Sequence, residues 1–361
     1  MRSPALLFCA ALSSGCSMFH AGMAQAPMLG ALANDDTGAA IGALDEGMGV
    51  ERGAEPKELH AFTGLMLADR GTVRLEAGLF HQATDDFRLA DKLLDLKDME
   101  LDDIMRHTGM PRSMRHGFHM GWLAALNYPY VPRLHERLML NALAMTAYLD
   151  LGDDANARVE ARRLDVMIDF ATRNSPTTPA LKTRAFSGIL AGFAFDRGGD
   201  SDDALRAYHE AVDQAPSDVS SLVTKIPAAP RGEILIIVAY GLIPRPNGDT
   251  AAPGGTVADL LAPSDVAESP QILVDGDSKA GVEVLDLSDV VKADWDQAKK
   301  EIGGSTTMLT WAALPSRFVL ARIPVAAGTH HVKLSVRGVP LEKDLLVPAG
   351  SYAAASLVVM R

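Results

Sequence analysis

Only two of the 361 residues are cysteine, Cys9 and Cys16, and none follows residue 16. An intrachain disulfide, a CxxC redox pair and a thiolate zinc cluster are therefore excluded from the body of the chain. Blocks of five or more Lys/Arg are missing as well, and the formal net charge is −12. Nucleic acid and anionic bilayers select a concentrated cationic face, so neither is expected as the main ligand; the acidity serves solubility. Long apolar runs are also absent. The strongest one inside the chain, Ile234–Ile243, has ten residues, about half of what a bilayer span needs.

What is present begins with Arg2, an apolar run from Pro4 to Leu12, and the small residues Ser13, Ser14 and Gly15 ahead of Cys16. The run is too short to span and has the form of a secretory h-region. Together these residues resemble the lipobox of bacterial lipoproteins, with Ser13 where leucine is usual and Leu12 one place earlier. The resemblance implies a signal peptide of residues 1–15 and lipidation at Cys16. With Ser17 next rather than aspartate, it also implies an outer-membrane location on the periplasmic side. Acyl chains contribute about 0.8 kcal/mol per buried CH2, so several of them anchor a protein without a transmembrane helix. Cleavage of an ordinary signal peptide near Ala26 is the alternative. Residues 16–41, rich in Ala, Gly and Met from Gly22 onward, read as a tether.

Residues 42–222 carry a helical apolar pattern. Three stretches share one spacing: Gly78, Phe80, Ala83, Phe87, Ala90; Gly152, Ala157, Ala161, Leu164; and Gly199, Ala204, Tyr208, Ala211. The glycine permits a tight turn between helices, the first small residue permits close approach, and the residues four and seven further on return to the same face. The spacing resembles the second helix of the tetratricopeptide repeat. The alanine markers 83, 157 and 204 are separated by 74 and 47 residues rather than 34, so the hairpins do not form a regular tandem array.

Beyond Pro216 the pattern becomes that of strands. "EILIIVAYGL" reads as a strand buried on both faces, and "QILVDGDSKAGVEVLDL" as a hairpin turning at Asp275-Gly276. "VVKADWDQAKKEI" reads as an amphipathic helix. Arg317–Ile323, Val332–Arg337, Asp344–Val347 and Tyr352–Val359 read as further strands of a sandwich-like domain, residues 223–361. "AAGTHHVKLSV" resembles the turn-strand element of small carbohydrate- or peptidoglycan-associated β-domains.

Chemistry-bearing motifs are sparse. His135-Glu136 and His209-Glu210 lack a histidine four residues after the first, where Met139 and Asp213 stand, so neither is a zincin helix. "GDSKAG" is one residue too long for a nucleophile elbow and sits in the expected hairpin. Asp275 and Asp277 lack the remaining ligands of a calcium loop. Residues 105–122 gather Met105, Met110, Met114 and Met120 with His107, His116 and His119, a donor set suited to copper; helix packing by the methionines is the alternative.

"NYPYVPRLHERLMLN", "LGDDANARVEARRLD", "RGEILIIVAYGLIPRP" and "LPSRFVLARIPVAAGTHHVKL" resemble an uncharacterised family of tetratricopeptide-like bacterial lipoproteins. The resemblance implies an α+β fold: a lipid anchor, tetratricopeptide-like helical hairpins over residues 42–222, and a C-terminal β-sandwich-like domain. It carries no reaction, so no catalytic residue, cofactor or metal site is assigned. The expected role is a protein–protein scaffold in assembly or export at the outer membrane; an enzyme acting on cell-wall material and a copper-binding protein are the alternatives. In the repeats it resembles, first helices line the partner-binding face, which assigns Thr146, Asp150, Phe186, Phe193 and Arg197 to a protein partner. Phe186, Phe193 and Arg197 fall on one helical stripe, with the composition of a hot spot. Packing of both phenylalanines beneath the β-domain or a neighbouring helix is the other reading.

Overall fold

The computed structural model describes residues 24–57, 62–107, 132–174, 179–223, 231–246, 260–261, 268–302 and 310–360. Helices come first: α1 (residues 24–32), α2 (Thr37–Met48), α3 (Thr63–Glu76), α4 (Phe80–His107), α5 (Leu134–Asp150), α6 (Asp154–Asn174), α7 (Arg184–Gly198) and α8 (Ser201–Val212). Ten strands and one helix follow: β1 (Arg231–Leu242), β2 (Arg245–Pro246), β3 (Leu260–Leu261), β4 (Gln271–Val274), β5 (Asp277–Lys279), β6 (Val282–Asp286), α9 (Leu287–Ile302), β7 (Pro315–Ala326), β8 (Gly328–Val336), β9 (Val339–Val347) and β10 (Tyr352–Val359). The fold class is α+β, as expected from the change of hydrophobic period after Pro216.

Three pairs of helices, α3/α4, α5/α6 and α7/α8, are joined by short turns at Gly78, Gly152 and Gly199. Their φ values of 71°, 70° and 81° lie in the left-handed region that only glycine enters freely. The aromatic markers of the first and third pairs fill space that glycine leaves open. A Cβ on Gly71 of α3 would stand 2.6 Å from the Phe87 ring, and one on Gly192 of α7 would stand 2.5 Å from the Tyr208 ring. Ala83, Ala157 and Ala204 are all buried.

Sheet order is β10-β1-β7-β6 in one sheet and β5-β4-β8-β9 in the other, with a two-residue β2-β3 pair besides. β1 runs parallel to β10 and antiparallel to β7. It is buried on both faces, which explains its continuous apolar sequence. Ile234, Ile236, Val238 and Tyr240 meet Ile272 and Val274 of β4, Val332, Leu334 and Val336 of β8, and Leu345 and Val347 of β9. Leu235, Ile237 and Ala239 face the other way, with Phe318, Leu320 and Val358, into the core of the helices. The first sheet is thus a middle layer, and the helical and β-rich parts share one core.

Asp275 and Gly276 both take positive φ, 54° and 86°, between β4 and β5, the geometry of a type I′ hairpin turn. The tether reading of residues 16–41 needs correction where the structure describes it. Residues 24–32 and Thr37–Met48 are helical, and Ala24, Met28, Leu32, Ala40 and Ile41 are buried. The reason is composition: methionine, leucine and alanine at helical spacing supply a face that is more stable packed than solvated. Cys16 lies outside the described residues, as does most of the Met/His segment 105–122, whose side chains are likewise not described.

Candidate functional site

The helices that open each pair, α3, α5 and α7, lie between their partners and the first sheet. Burial runs without a break from Thr63 to Leu75, from Leu138 to Leu149 and from Ala185 to Phe195, whereas α8 buries only Ala204, Ala207, Tyr208 and Ala211. The face expected to receive a protein partner is therefore the face that receives this chain's own sheet.

Each residue assigned to that face is accounted for. Phe186 stacks at 4.4 Å on Phe318 of β7, and Phe193 meets Tyr352 of β10 edge-on at 5.0 Å. Arg197 bonds Glu233 of β1 at 2.5 Å and lies over the Phe193 and Tyr352 rings. Asp150 accepts from the Ser356 N–H at 2.7 Å, the Ser356 hydroxyl at 2.8 Å and Lys343 Nζ at 3.0 Å. Thr146 turns its hydroxyl back onto the Ala142 carbonyl. The assignment of these five residues to an exposed groove is corrected: all are covered from within, because three helices buried along nearly their whole length need cover on both sides.

Around them runs a set of contacts that sequence reasoning missed. Four carboxylates, two on α3 and two on α5, accept backbone N–H groups from the β-rich part. Asp69 takes Ala313 N at 2.8 Å, Glu136 takes Trp311 N at 2.7 Å, Asp150 takes Ser356 N, and Glu76 takes Met360 N at 3.0 Å. Ser356 and Met360 lie on and just after β10, an edge strand, so Asp150 and Glu76 satisfy N–H groups that the sheet leaves unpaired. Trp311 and Ala313 belong to a strap, Thr310–Leu314, that leads into β7 and sets the buried Trp311 ring 6.2 Å from Phe87.

The electrostatics are those of a sealed joint. Asp69 is fully buried, and that burial raises its carboxyl to about 7 despite bonds from Gln25 and Ala313; the Glu136 charge pushes the same way. Burial, with Asp154 accepting from its hydroxyl, raises the Tyr352 phenol. Glu233 holds two guanidiniums, Arg197 and Arg322, at side-chain exposures of 2%, 5% and 1%. Arg322 also donates to the Leu222 carbonyl at 2.9 Å and to the Tyr208 hydroxyl at 3.3 Å.

His135 and Glu136, set aside as a metal motif, have structural duties: His135 bonds Asp294 of α9 at 2.6 Å, and Glu136 reaches back to the Arg133 N–H at 2.8 Å. Asp275 is occupied by His330 and by the His331 N–H. Among the described residues no group of three His, Asp or Glu is placed to hold a metal ion, and no helix is long and apolar enough to cross a membrane.

No protein-family model and no curated protein matches this chain. The functional reading rests on the residues themselves.

Two of the missed positions carried a sequence signal. Glu233 stands at the head of the apolar run of β1 and Arg322 interrupts that of β7, and a charge in a strand buried on both faces needs an opposite charge beside it. The carboxylates of α3 and α5 gave no such signal, since acidic residues on helices are ordinarily solvated.

Proposed function

We propose that this protein is a lipid-anchored scaffold of the bacterial envelope. It is held through Cys16 on the periplasmic side of the outer membrane and works by protein–protein contact in assembly or export. Under this reading the helix pairs are tetratricopeptide-like, the paired sheets are a sandwich, and the chain is akin to the uncharacterised tetratricopeptide-like lipoproteins that its sequence resembles. One observation carries it: the buried carboxylates of α3 and α5 are spent on backbone N–H groups of the β-rich part. Groups deployed in that way make a rigid body from two unlike halves, which is what a scaffold needs to hold partners at a set spacing.

Two measurements test the proposal. Cys16→Ala should leave the precursor unprocessed or release the protein into the periplasm; identical migration and fractionation of variant and wild type would refute the anchor. Cross-linking in intact envelopes should give discrete adducts with other proteins, and recovery of the monomer alone would refute the scaffold.

A further inference from the structure

The second helices of the three pairs turn unlike faces to solvent. On α4 the exposed stripe is His81, Asp85, Arg88, Lys92 and Asp95, polar throughout. α6 and α8 depart from that pattern: among the described residues, four of the six large apolar side chains left in water are theirs. Val166 of α6 is 70% exposed and Leu205 of α8 is 63% exposed, with Val159 and Val212 about half-exposed beside them. Val159 and Val166 are seven residues apart, as are Leu205 and Val212, so each pair shares one side of its helix.

The two helices run side by side in the same direction. Arg162 of α6 reaches Asp200, at the head of α8, at 3.2 Å, and Arg206 of α8 reaches Asp165 of α6 at 2.6 Å. The same two contacts set the levels along the pair: Val166 stands level with Leu205, Arg162 with Asp202, and Arg173 with Asp213. The charges around the apolar residues are segregated by helix. α6 exposes Arg162, Arg163 and Arg173 against Asp169, whereas α8 exposes Asp202, Asp203 and, just past its end, Asp213 against Arg206.

A partner of one sign complements one of these helices and opposes the other. A second copy of this chain complements both. Turned about an axis that runs between α6 and α8 and along them, it lays its acidic α8 on the basic α6 and its α6 on α8. An axis across the helices would set α8 on α8, acid against acid, and is disfavoured. We propose that this face is the isologous interface of a homodimer, with Val166 of each copy packed on Leu205 of the other and Arg162 opposite Asp202. Two helices about 10 Å wide, along the roughly 18 Å of α8, offer about 350 Å² per copy. That is less than half the roughly 800 Å² of a standard interface, so the dimer belongs to the weak, reversible class.

Sedimentation equilibrium of the full chain in density-matched detergent, at protein concentrations up to about 1 mM, tests the interface. The wild type should dimerise reversibly. Val166→Lys and Leu205→Asp both alter side chains that stand in water, and each alone should raise the dissociation constant at least about thirtyfold. An equal mixture of the two variants should dimerise again, because one Val166–Leu205 contact is kept and the other becomes an ion pair. A monomeric wild type, a single variant that associates as tightly as the wild type, or a mixture that stays monomeric would each overturn the proposal. The interface needs neither the lipid anchor nor another protein, so it fails or stands separately from the scaffold reading.

Discussion

Replacing Glu233 by alanine puts the joint between helices and sheet to a quantitative test. The carboxylate receives Arg197 Nη2 at 2.5 Å, Arg322 Nη2 at 3.0 and 3.2 Å, and Arg322 Nε at 3.1 Å. Its removal leaves two guanidiniums buried without their anion. Arg322 keeps the Leu222 carbonyl and the Tyr208 hydroxyl, whereas Arg197 keeps only the Phe193 and Tyr352 rings. Breaking a buried pair by deleting one partner costs about 3–5 kcal/mol, and the retained contacts of Arg322 hold the expected loss near 4 kcal/mol. Arg197→Met alone should cost far less, because Arg322 and Glu233 remain as a neutral pair. The double variant should then be more stable than the sum of the single losses by roughly 0.5–3 kcal/mol. Urea unfolding followed by far-ultraviolet circular dichroism and by tryptophan fluorescence measures both quantities. The two probes should shift together, since the pair links α7 to β1 and β7. A loss below about 1 kcal/mol for Glu233→Ala would mean that water reaches the guanidiniums, and the sealed joint would be refuted.

Phe193→Ala should lower stability by about 3–5 kcal/mol, because its ring is fully buried against Tyr352; an unchanged melting temperature would return it to an exposed partner face. Gly192→Ala places a Cβ 2.5 Å from the Tyr208 ring and should cost about 1–3 kcal/mol by overpacking, read from the thermal melt. His330 is held above its usual pKa by the Asp275 carboxylate, so this pair stabilises the fold fully below about pH 6.5 and loses its effect as the pH rises through the raised value. An NMR titration should place the His330 midpoint above that of a free imidazole, and Asp275→Asn should bring it down; equal midpoints would refute the pairing.

Much of the architecture was legible in the residues. Gly78, Gly152 and Gly199 marked the turns because a left-handed residue is needed there and other side chains resist it. The change of period after Pro216, the Asp275-Gly276 turn and the doubly buried "EILIIVAYGL" strand were legible for the same local reasons. The packing of α1 was not: an Ala-, Gly- and Met-rich stretch has the composition of a linker, and its burial depends on α2, α3 and a strap nearly three hundred residues away in sequence. The carboxylates that clasp the sheet were illegible too, because their partners are backbone N–H groups, which every residue but proline carries and no sequence pattern marks.

The misassigned groove follows from one omission. A helix that lines an open binding face must present polar side chains to water along one stripe. The sequence of α7, "RAFSGILAGFAFDRG", has no such stripe: between Ala185 and Phe195 its only polar side chain is Ser187, whose hydroxyl bonds the Thr183 carbonyl of its own chain. Such a helix is apolar all round and demands cover on two sides. One cover is its hairpin partner α8, and the other could come only from a second chain or from a distant part of this one. The strands supplied the answer, since β1 is apolar on both faces and needs cover as well. Two elements that each lack a second apolar neighbour satisfy one another when they meet, at no cost in new interfaces. Phe186 on Phe318 and Phe193 on Tyr352 are that meeting. Arg197, read as a recognition residue because it sits beside aromatics, is the polar residue that carries the pairing through to Glu233.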